Sequence, residues 1–391
     1  MKKFFYVAIA ATALASCSSD SLVDLKEGDE IKFTAVADND SRAETVHCQN
    51  NLPSTFQLYA AAGANDFIVD EEYTRAGETT IYNRTGGINR YWPENDALDF
   101  YAFKNATINW FAGSVPTGTF EVKPAVESQL DFIYAANPDQ TKATSTNGAV
   151  ALNFRHALSQ IEFKVVNNNP DLEIIVKNVK VGGALSKGNF TFPETTAEQW
   201  ENHNQAYDDK TDADVEVIAW ASQNTPVNYT LANDFADVTV VNGETKALTF
   251  EQEDANTANF ANIYKQSMLL LPQLETAAWN GTTGAFLAVK CVINNIIKEG
   301  ENITDRVVLY GDKDKDGEAE GRWAFVPVQF NWKPGYKYVY TFNFTYGGNA
   351  GYDDSNGNDK PGNMAVLLPL TVDVTVDDFQ PTTGSTENMV K

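Results

Sequence analysis

Apolar residues recur along this chain with a period of two far more often than with the 3.6-residue period of a helix. Residues 31–37 (IKFTAVA) set the pattern, with Ile31, Phe33 and Ala35 on one face and Lys32 and Thr34 on the other. Successive side chains of a strand point to opposite faces, so this alternation predicts a strand half-buried against a core. Runs rich in Val, Ile, Thr, Phe and Tyr follow at 98–103, 130–134, 150–154, 161–166, 172–181, 238–241, 267–271, 286–297, 307–310, 323–330, 338–346 and 365–379. Clusters of Gly, Asn, Asp and Pro separate them, as turns between strands require. The most nearly helical stretch is 195–207. The pattern predicts an all-β fold, and a length of 391 residues predicts two β-sandwiches in tandem. Their boundary is expected at the connection RHALSQ, residues 155–160.

The first residues follow a different rule. Lys2 and Lys3 precede an apolar run at 4–14, which is followed by small residues. That run is too short for a hydrocarbon layer of about 30 Å, which takes about 20 helical residues, so it reads as a secretory signal. Within it, Leu14-Ala15-Ser16-Cys17 resembles the lipobox of bacterial lipoproteins. The resemblance implies that the Cys17 sulfur is acylated, that residues 1–16 are removed, and that the mature chain begins at a lipid anchor in the outer membrane. An ordinary signal with a chance cysteine is the other reading.

Composition excludes some functions. The formal net charge is −24, and loss of Lys2 and Lys3 with the signal takes it to −26. Nucleic-acid affinity comes largely from neutralising phosphates with Lys and Arg, so no nucleic-acid partner is expected. Docking on anionic lipid is disfavoured for the same reason. Beyond Cys17 the cysteines are Cys48 and Cys291, far apart in sequence, and whether they pair stays open.

The search for catalytic chemistry finds little. The histidines are His47, His156 and His203, none in a metalloprotease arrangement or near a cysteine at metal-ligand spacing. His156 reads as a hydrogen-bonded corner residue. No nucleophile elbow or Gly-Lys-Ser/Thr phosphate loop occurs. A glycosidase built on a carboxylate pair leaves no spacing signature and stays open as a minor alternative. Asp312, Asp314 and Asp316 with Gly317 match the start of a calcium loop, but the twelfth position is Trp323 instead of a bidentate Glu. A polar hairpin turn is expected there, and no metal, cofactor or catalytic residue is assigned. Aromatic residues make up 12% of the chain, and a glycan-binding surface lipoprotein using Trp92, Trp110 and Trp220 is the alternative function.

Five phrases in order carry a wider resemblance: RYWPENDALDFYAF from Arg90, LDFIYA from Leu130, VALNFRHALSQIEFKV from Val150, NWKPGYKYVYTFNF from Asn331 and LTVDVTVDDF from Leu370. With the lipobox and IKFTAVADNDSRAE they resemble the fimbrillin family, the pilins and pilin-like surface lipoproteins of Bacteroidia-type bacteria. The resemblance implies β-sandwiches of transthyretin-like or Greek-key type, divided as signal 1–16, lipidated pro-segment 17–42, N-terminal sandwich 43–158, C-terminal sandwich 159–379 and polar tail 380–391. It further implies an arginine-specific protease that cuts between Arg42 and Ala43 and removes the strand bearing Ile31, Phe33 and Ala35. A donor strand from a neighbouring pilin subunit then fills the groove. Leu370, Val372, Val374 and Val376 have the alternation of such a donor, though the segment could equally be an edge strand of its own sheet. Arg75-Ala76 is a second candidate bond. Location is the outer-membrane surface, or a fimbrium on polymerisation, with a host or bacterial surface ligand as a further partner.

Overall fold

The computed structural model describes residues 30–35, 52–77, 79–145, 149–196, 217–231, 235–249, 267–274, 276–300, 302–313, 319–344, 352–353 and 370–378. Its first half contains β1 (Lys32–Ala35), β2 (Thr55–Ala62), β3 (Asn65–Arg75), β4 (Ile81–Arg84), β5 (Leu98–Lys104), β6 (Ile108–Asn109), β7 (Thr117–Glu121), β8 (Ile133–Gln140), β9 (Ala149–Leu152), β10 (Arg155–His156), β11 (Ser159–Asn167) and β12 (Leu172–Thr191). The second half contains β13 (Ala219–Thr230), β14 (Val238–Val240), β15 (Glu244–Ala247), β16 (Met268–Leu270), β17 (Phe286–Glu299), β18 (Asn302–Tyr310), β19 (Asp312–Lys313), β20 (Ala319–Glu320), β21 (Arg322–Pro327), β22 (Tyr336–Phe344), β23 (Tyr352–Asp353) and β24 (Leu370–Asp378). The protein is all-β, and the helical element among the described residues is one 3₁₀ turn at Val126–Ser128. Residues 195 and 196 are not helical, and the rest of the stretch 195–207 lies outside the described residues.

An eight-stranded sheet runs in the order β10-β8-β5-β2-β3-β4-β1-β9. A five-stranded sheet is built on β15-β11-β22-β24, with β16 also on β11. A nine-stranded sheet follows β23-β21-β17-β12-β7-β6, with β13 and β14 on β12 and β18 on β17. Strands β6 and β7, early in the chain, thus belong to a sheet otherwise made of residues after 171.

Alternation along β5 and β8 explains how the cores meet. Leu98, Phe100 and Ala102 of β5 enter a core with Phe33, Phe56 and Leu58, whereas Tyr101 and Phe103 enter a second core with Phe190, Phe192 and Val181. On β8, Ile133 and Ala135 face the first core and Tyr134 and Ala136 the second. The middle of the first sheet is therefore buried on both faces, which is why LDFYAF and residues 133–135 of LDFIYA read as nearly continuous apolar runs; the strand expected at 130–134 begins only at Ile133, and Leu130 before it is exposed. Phe132, Phe190 and Phe192 cluster at the seam, with the first two rings 4.9 Å apart. Tyr134 accepts the Ile218 N–H at 2.9 Å, and burial pushes its phenol up to about 12.

Strand β12 runs ten residues past the alternating stretch 172–181 because Gly182 and Gly183 do not turn the chain. Gly183 has φ +72, and a Cβ there would stand 2.2 Å from the Gly284 carbonyl oxygen, while one on Gly182 would enter the Phe286 ring. The pair makes a bulge across which the ladder to β17 continues from Val181 to Gly182. On β17, Cys291 is a free, fully buried thiol whose pKa burial raises to about 12; Cys48 lies outside the described residues. The thiolate is the reactive form. Cys291 is therefore expected to resist a thiol-reactive chromogenic disulfide in the native state and to titrate fully in guanidinium. Rapid labelling of Cys291 without unfolding would show that β17 opens.

Candidate functional site

Strand β1 is the element of the first sheet whose loss changes most. It pairs antiparallel with β4, matching Phe33 to Tyr82 and Thr34 to Ile81, and parallel with β9, matching residues 32–35 to 149–152. Beyond the ladders, the Ile31 N–H donates to the Arg90 carbonyl at 2.8 Å and the Ala35 N–H to the Thr80 carbonyl at 2.9 Å. Among the described residues β9 has β1 as its only ladder partner, helped by Asn137 Nδ2 donating to the Ala151 carbonyl at 2.8 Å. β1 is the bridge that joins β9 to the rest of the sheet.

Alternation puts Ile31, Phe33 and Ala35 into the core and leaves Lys32 exposed. The Phe33 ring is fully buried and meets Tyr73, Phe100 and Phe56 edge-to-face at 4.8, 5.2 and 6.4 Å. Each such pair adds about 0.5–1.5 kcal/mol beyond area burial. Phe56 in turn packs on Tyr82 and Phe154 at 4.9 and 5.3 Å. Tyr82 donates its hydroxyl to the Pro53 carbonyl. The seat of β1 is thus an apolar trench floored by aromatic rings, with backbone amides of β4 and β9 as its walls.

A charged cluster closes one end of the trench. Glu71, 8% exposed, receives Arg84 Nε at 2.7 Å and the Arg90 guanidinium. Arg84 Nη1 also donates to the Ile88 carbonyl at 2.7 Å. Glu71 therefore fixes the loop between β4 and Tyr91, the loop whose Arg90 carbonyl receives Ile31 and whose Tyr91 bridges Glu30. Sequence reasoning did not find this cluster, because Glu71 and its two arginines are scattered through polar text without periodicity.

The other residues singled out in the sequence are dispersed. Cys17, Arg42 and Ala43 lie outside the described residues. Arg75 ends β3, and its Nε donates to the Thr79 carbonyl at 2.6 Å. Leu370, Val372, Val374 and Val376 lie on β24, which pairs antiparallel with β22 over all nine residues, from Tyr336↔Asp378 to Phe344↔Leu370. Leu370 is buried in the second core, and the three valines are half-buried against it. Among the described residues β22 is the one ladder partner of β24, so β24 is an edge strand. His156 Nδ1 lies 2.9 Å from the Asp131 carboxylate, with both groups buried. Asp312–Lys313 pairs with Ala319–Glu320 in a two-stranded ribbon, and among the described residues no three His, Cys, Asp or Glu side chains gather to hold a metal ion.

The aromatic residues proposed for sugar capture correct one expectation. Trp92 is buried and packs edge-on against Phe100 at 5.9 Å, so it presents no platform. Trp110 and Trp220 are half-buried, with their Nε1 groups donated to Asp66 Oδ1 at 2.7 Å and to the Ala157 carbonyl at 3.0 Å.

Comparison with known proteins places this geometry. The family described as fimbrillin-like matches residues 23–356. A fimbrial protein of Bacteroides vulgatus is similar in structure at 17% identity and TM-score 0.55, over 90% of this chain and 100% of that one. A candidate cell adhesion protein of Bacteroides uniformis, at 12% identity and TM-score 0.42, covers 90% and 100%. The tip fimbrial protein Mfa3 of Porphyromonas gingivalis, with a C-terminal truncation, gives 8% identity and TM-score 0.37 over 90% and 99%. No curated protein matches the chain.

Proposed function

The chain belongs to the fimbrillin-like family, and from that premise we propose that it is a structural subunit or accessory component of a surface fimbria with a role in adhesion. In this reading the chain is exported as a lipoprotein acylated on Cys17 and held at the outer membrane. An arginine-specific protease cuts between Arg42 and Ala43, β1 leaves, and a strand of a neighbouring subunit takes its seat. The chain performs no catalysis. In this reading residues 43–158 and 159–379 are two sandwiches, and β6 and β7, which fall within the first range, pair in the sheet built on β12 and β17.

The observation that carries the proposal is the position of β1 as the bridge between β4 and β9. Withdrawal leaves unpaired amides on two strands and a trench floored by Phe56, Tyr73 and Phe100. Unpaired buried amides and exposed rings are both costly, so the open form has a strong drive to bind an extended segment. An incoming strand repairs both defects at once. Residues 370, 372, 374 and 376 offer the two-residue spacing that Ile31, Phe33 and Ala35 leave empty, and among the described residues β24 has a ladder on one side. A glycan-binding role has no comparable support, since the buried Trp92 falls away from it.

The test is to treat the purified full chain with an arginine-specific protease and follow mass and oligomeric state. The proposal expects loss of the segment ending at Arg42 and growth of a detergent-resistant ladder. Complete trimming without any association at high concentration would overturn it. Anchoring is tested separately. Two or more acyl chains hold firmly where one holds marginally, so Cys17→Ala is expected to abolish lipid labelling and membrane retention. Retention equal to wild type in a carbonate wash would refute the anchor.

A further inference from the structure

Strand β11 sends Ile161, Phe163 and Val165 into the second core and turns Gln160 and Glu162 to the opposite face. That face carries unusual burial for its polarity: Gln160 is 0% exposed, Glu162 9%, and Ser267, just before β16, 2%. The three side chains close a triangle. Gln160 Nε2 donates to Ser267 Oγ at 2.8 Å and to Glu162 Oε1 at 3.1 Å, and Ser267 Oγ donates to the same Glu162 oxygen at 3.3 Å. β16 runs antiparallel to β11, with Gln160 matched to Leu269 and Ile161 to Met268, so the arrangement is set by the ladder.

The parts are those of a buried acyl transfer: a hydroxyl, a carboxylate that accepts its proton, and an amide whose nitrogen donates to that carboxylate. A nucleophile is activated when a base holds its proton. Fixing both reactants in one geometry replaces a bimolecular encounter by an intramolecular one. Exclusion of water removes the competing hydrolysis. Only one turnover in the lifetime of the molecule is needed.

We propose that Ser267 and Gln160 form an intramolecular ester, with Glu162 as the proton carrier. Ser267 Oγ gives its proton to Glu162 and bonds to Cδ of Gln160, forming a tetrahedral centre. Glu162 passes the proton to Nε2, the Cδ–Nε2 bond breaks, and ammonia leaves. Hydroxyl and primary amide become ester and ammonia, and no oxidant or co-reactant is consumed. Escape of ammonia to solvent drives the step forward. Lys337, 7% exposed, stands opposite Gln160 in register on β22 and is the rival nucleophile, which would give an amide with the same loss of ammonia. The geometry favours Ser267, whose Oγ stands 2.8 Å from the leaving nitrogen Nε2, so that a turn of the amide about Cγ–Cδ brings Cδ to it. The bond would fasten β16 to β11 covalently, where the ladder alone could be peeled strand from strand under tension.

The experiment is mass spectrometry on the full-length purified chain, digested after denaturation. The expected result is a peptide containing Gln160 joined to one containing Ser267, lighter than their sum by one ammonia and split by hydroxylamine at mildly alkaline pH. Ser267→Ala removes a single oxygen, so the chain should fold with a wild-type circular dichroism spectrum and yield separate peptides, and Glu162→Gln should do the same. Recovery of unlinked peptides with the Gln160 amide intact from the folded wild-type chain would overturn the proposal. So would a hydroxylamine-resistant link to Lys337.

Discussion

Replacing Phe33 by alanine is expected to destabilise the protein by about 3–5 kcal/mol, the range for truncating a buried phenylalanine. The ring is 0% exposed and touches Tyr73, Phe100 and Phe56, so its loss opens a cavity where the three remaining rings converge. The consequence exceeds the cavity, because β1 is also the ladder partner of β9. With β1 loosened, Val150 and Leu152 lose the strand that holds them over the first core. Lys32 sits on the same strand with its side chain in solvent, and Lys32→Ala should stay within about 0.5 kcal/mol of wild type. Urea unfolding followed by tryptophan fluorescence would measure both. A Phe33→Ala chain as stable as the Lys32→Ala chain would show that β1 is a loose appendage, and the groove would lose its physical basis.

The same alternation that buries Phe33 made β1 legible in the sequence, since a strand with one wet face prints its geometry as a period of two. β5 was legible for a different reason, being covered on both faces and so continuously apolar, whereas β8 was read only at its start: it begins at Ile133, not at residue 130, and runs on through polar residues to Gln140. β2 was not read, although Phe56, Leu58 and Ala60 alternate, because its alanines blur the contrast between faces. β3 was hidden by its acidic residues, one of which, Glu71, is buried only because Arg84 and Arg90 meet it. β13 (AWASQNTPVNYT) has no apolar period at all, and its place is set by the ladder to β12. The seat of β1 was likewise out of reach. Its floor and walls come from β2, β3, β4, β5 and β9, and nothing in a linear text states that these meet.

Val374→Asp should block assembly while leaving the trimmed subunit folded. In the isolated chain Val374 is half-buried and stands opposite Tyr340 on β22, so a carboxylate there weakens the edge of the second core but, among the described residues, disturbs a ladder on one side. In the seat of β1 the same side chain would enter a closed trench between two strands, where an uncompensated charge is far more costly. The two environments predict different penalties for one substitution. Each aliphatic side chain accepted into the trench contributes about 1.5–3 kcal/mol, so losing one and burying a charge in its place should abolish the ladder expected of the wild-type chain. If the proposed cut at Arg42 is made, β1 is held by its buried side chains and two ladders, so the weakened Phe33→Ala chain should exchange strands faster than wild type. Arg42→Ala should keep β1 tethered and give a full-length monomer. A Val374→Asp chain that is trimmed and polymerises at the wild-type rate would remove β24 as the donor and move that role to the residues that follow it.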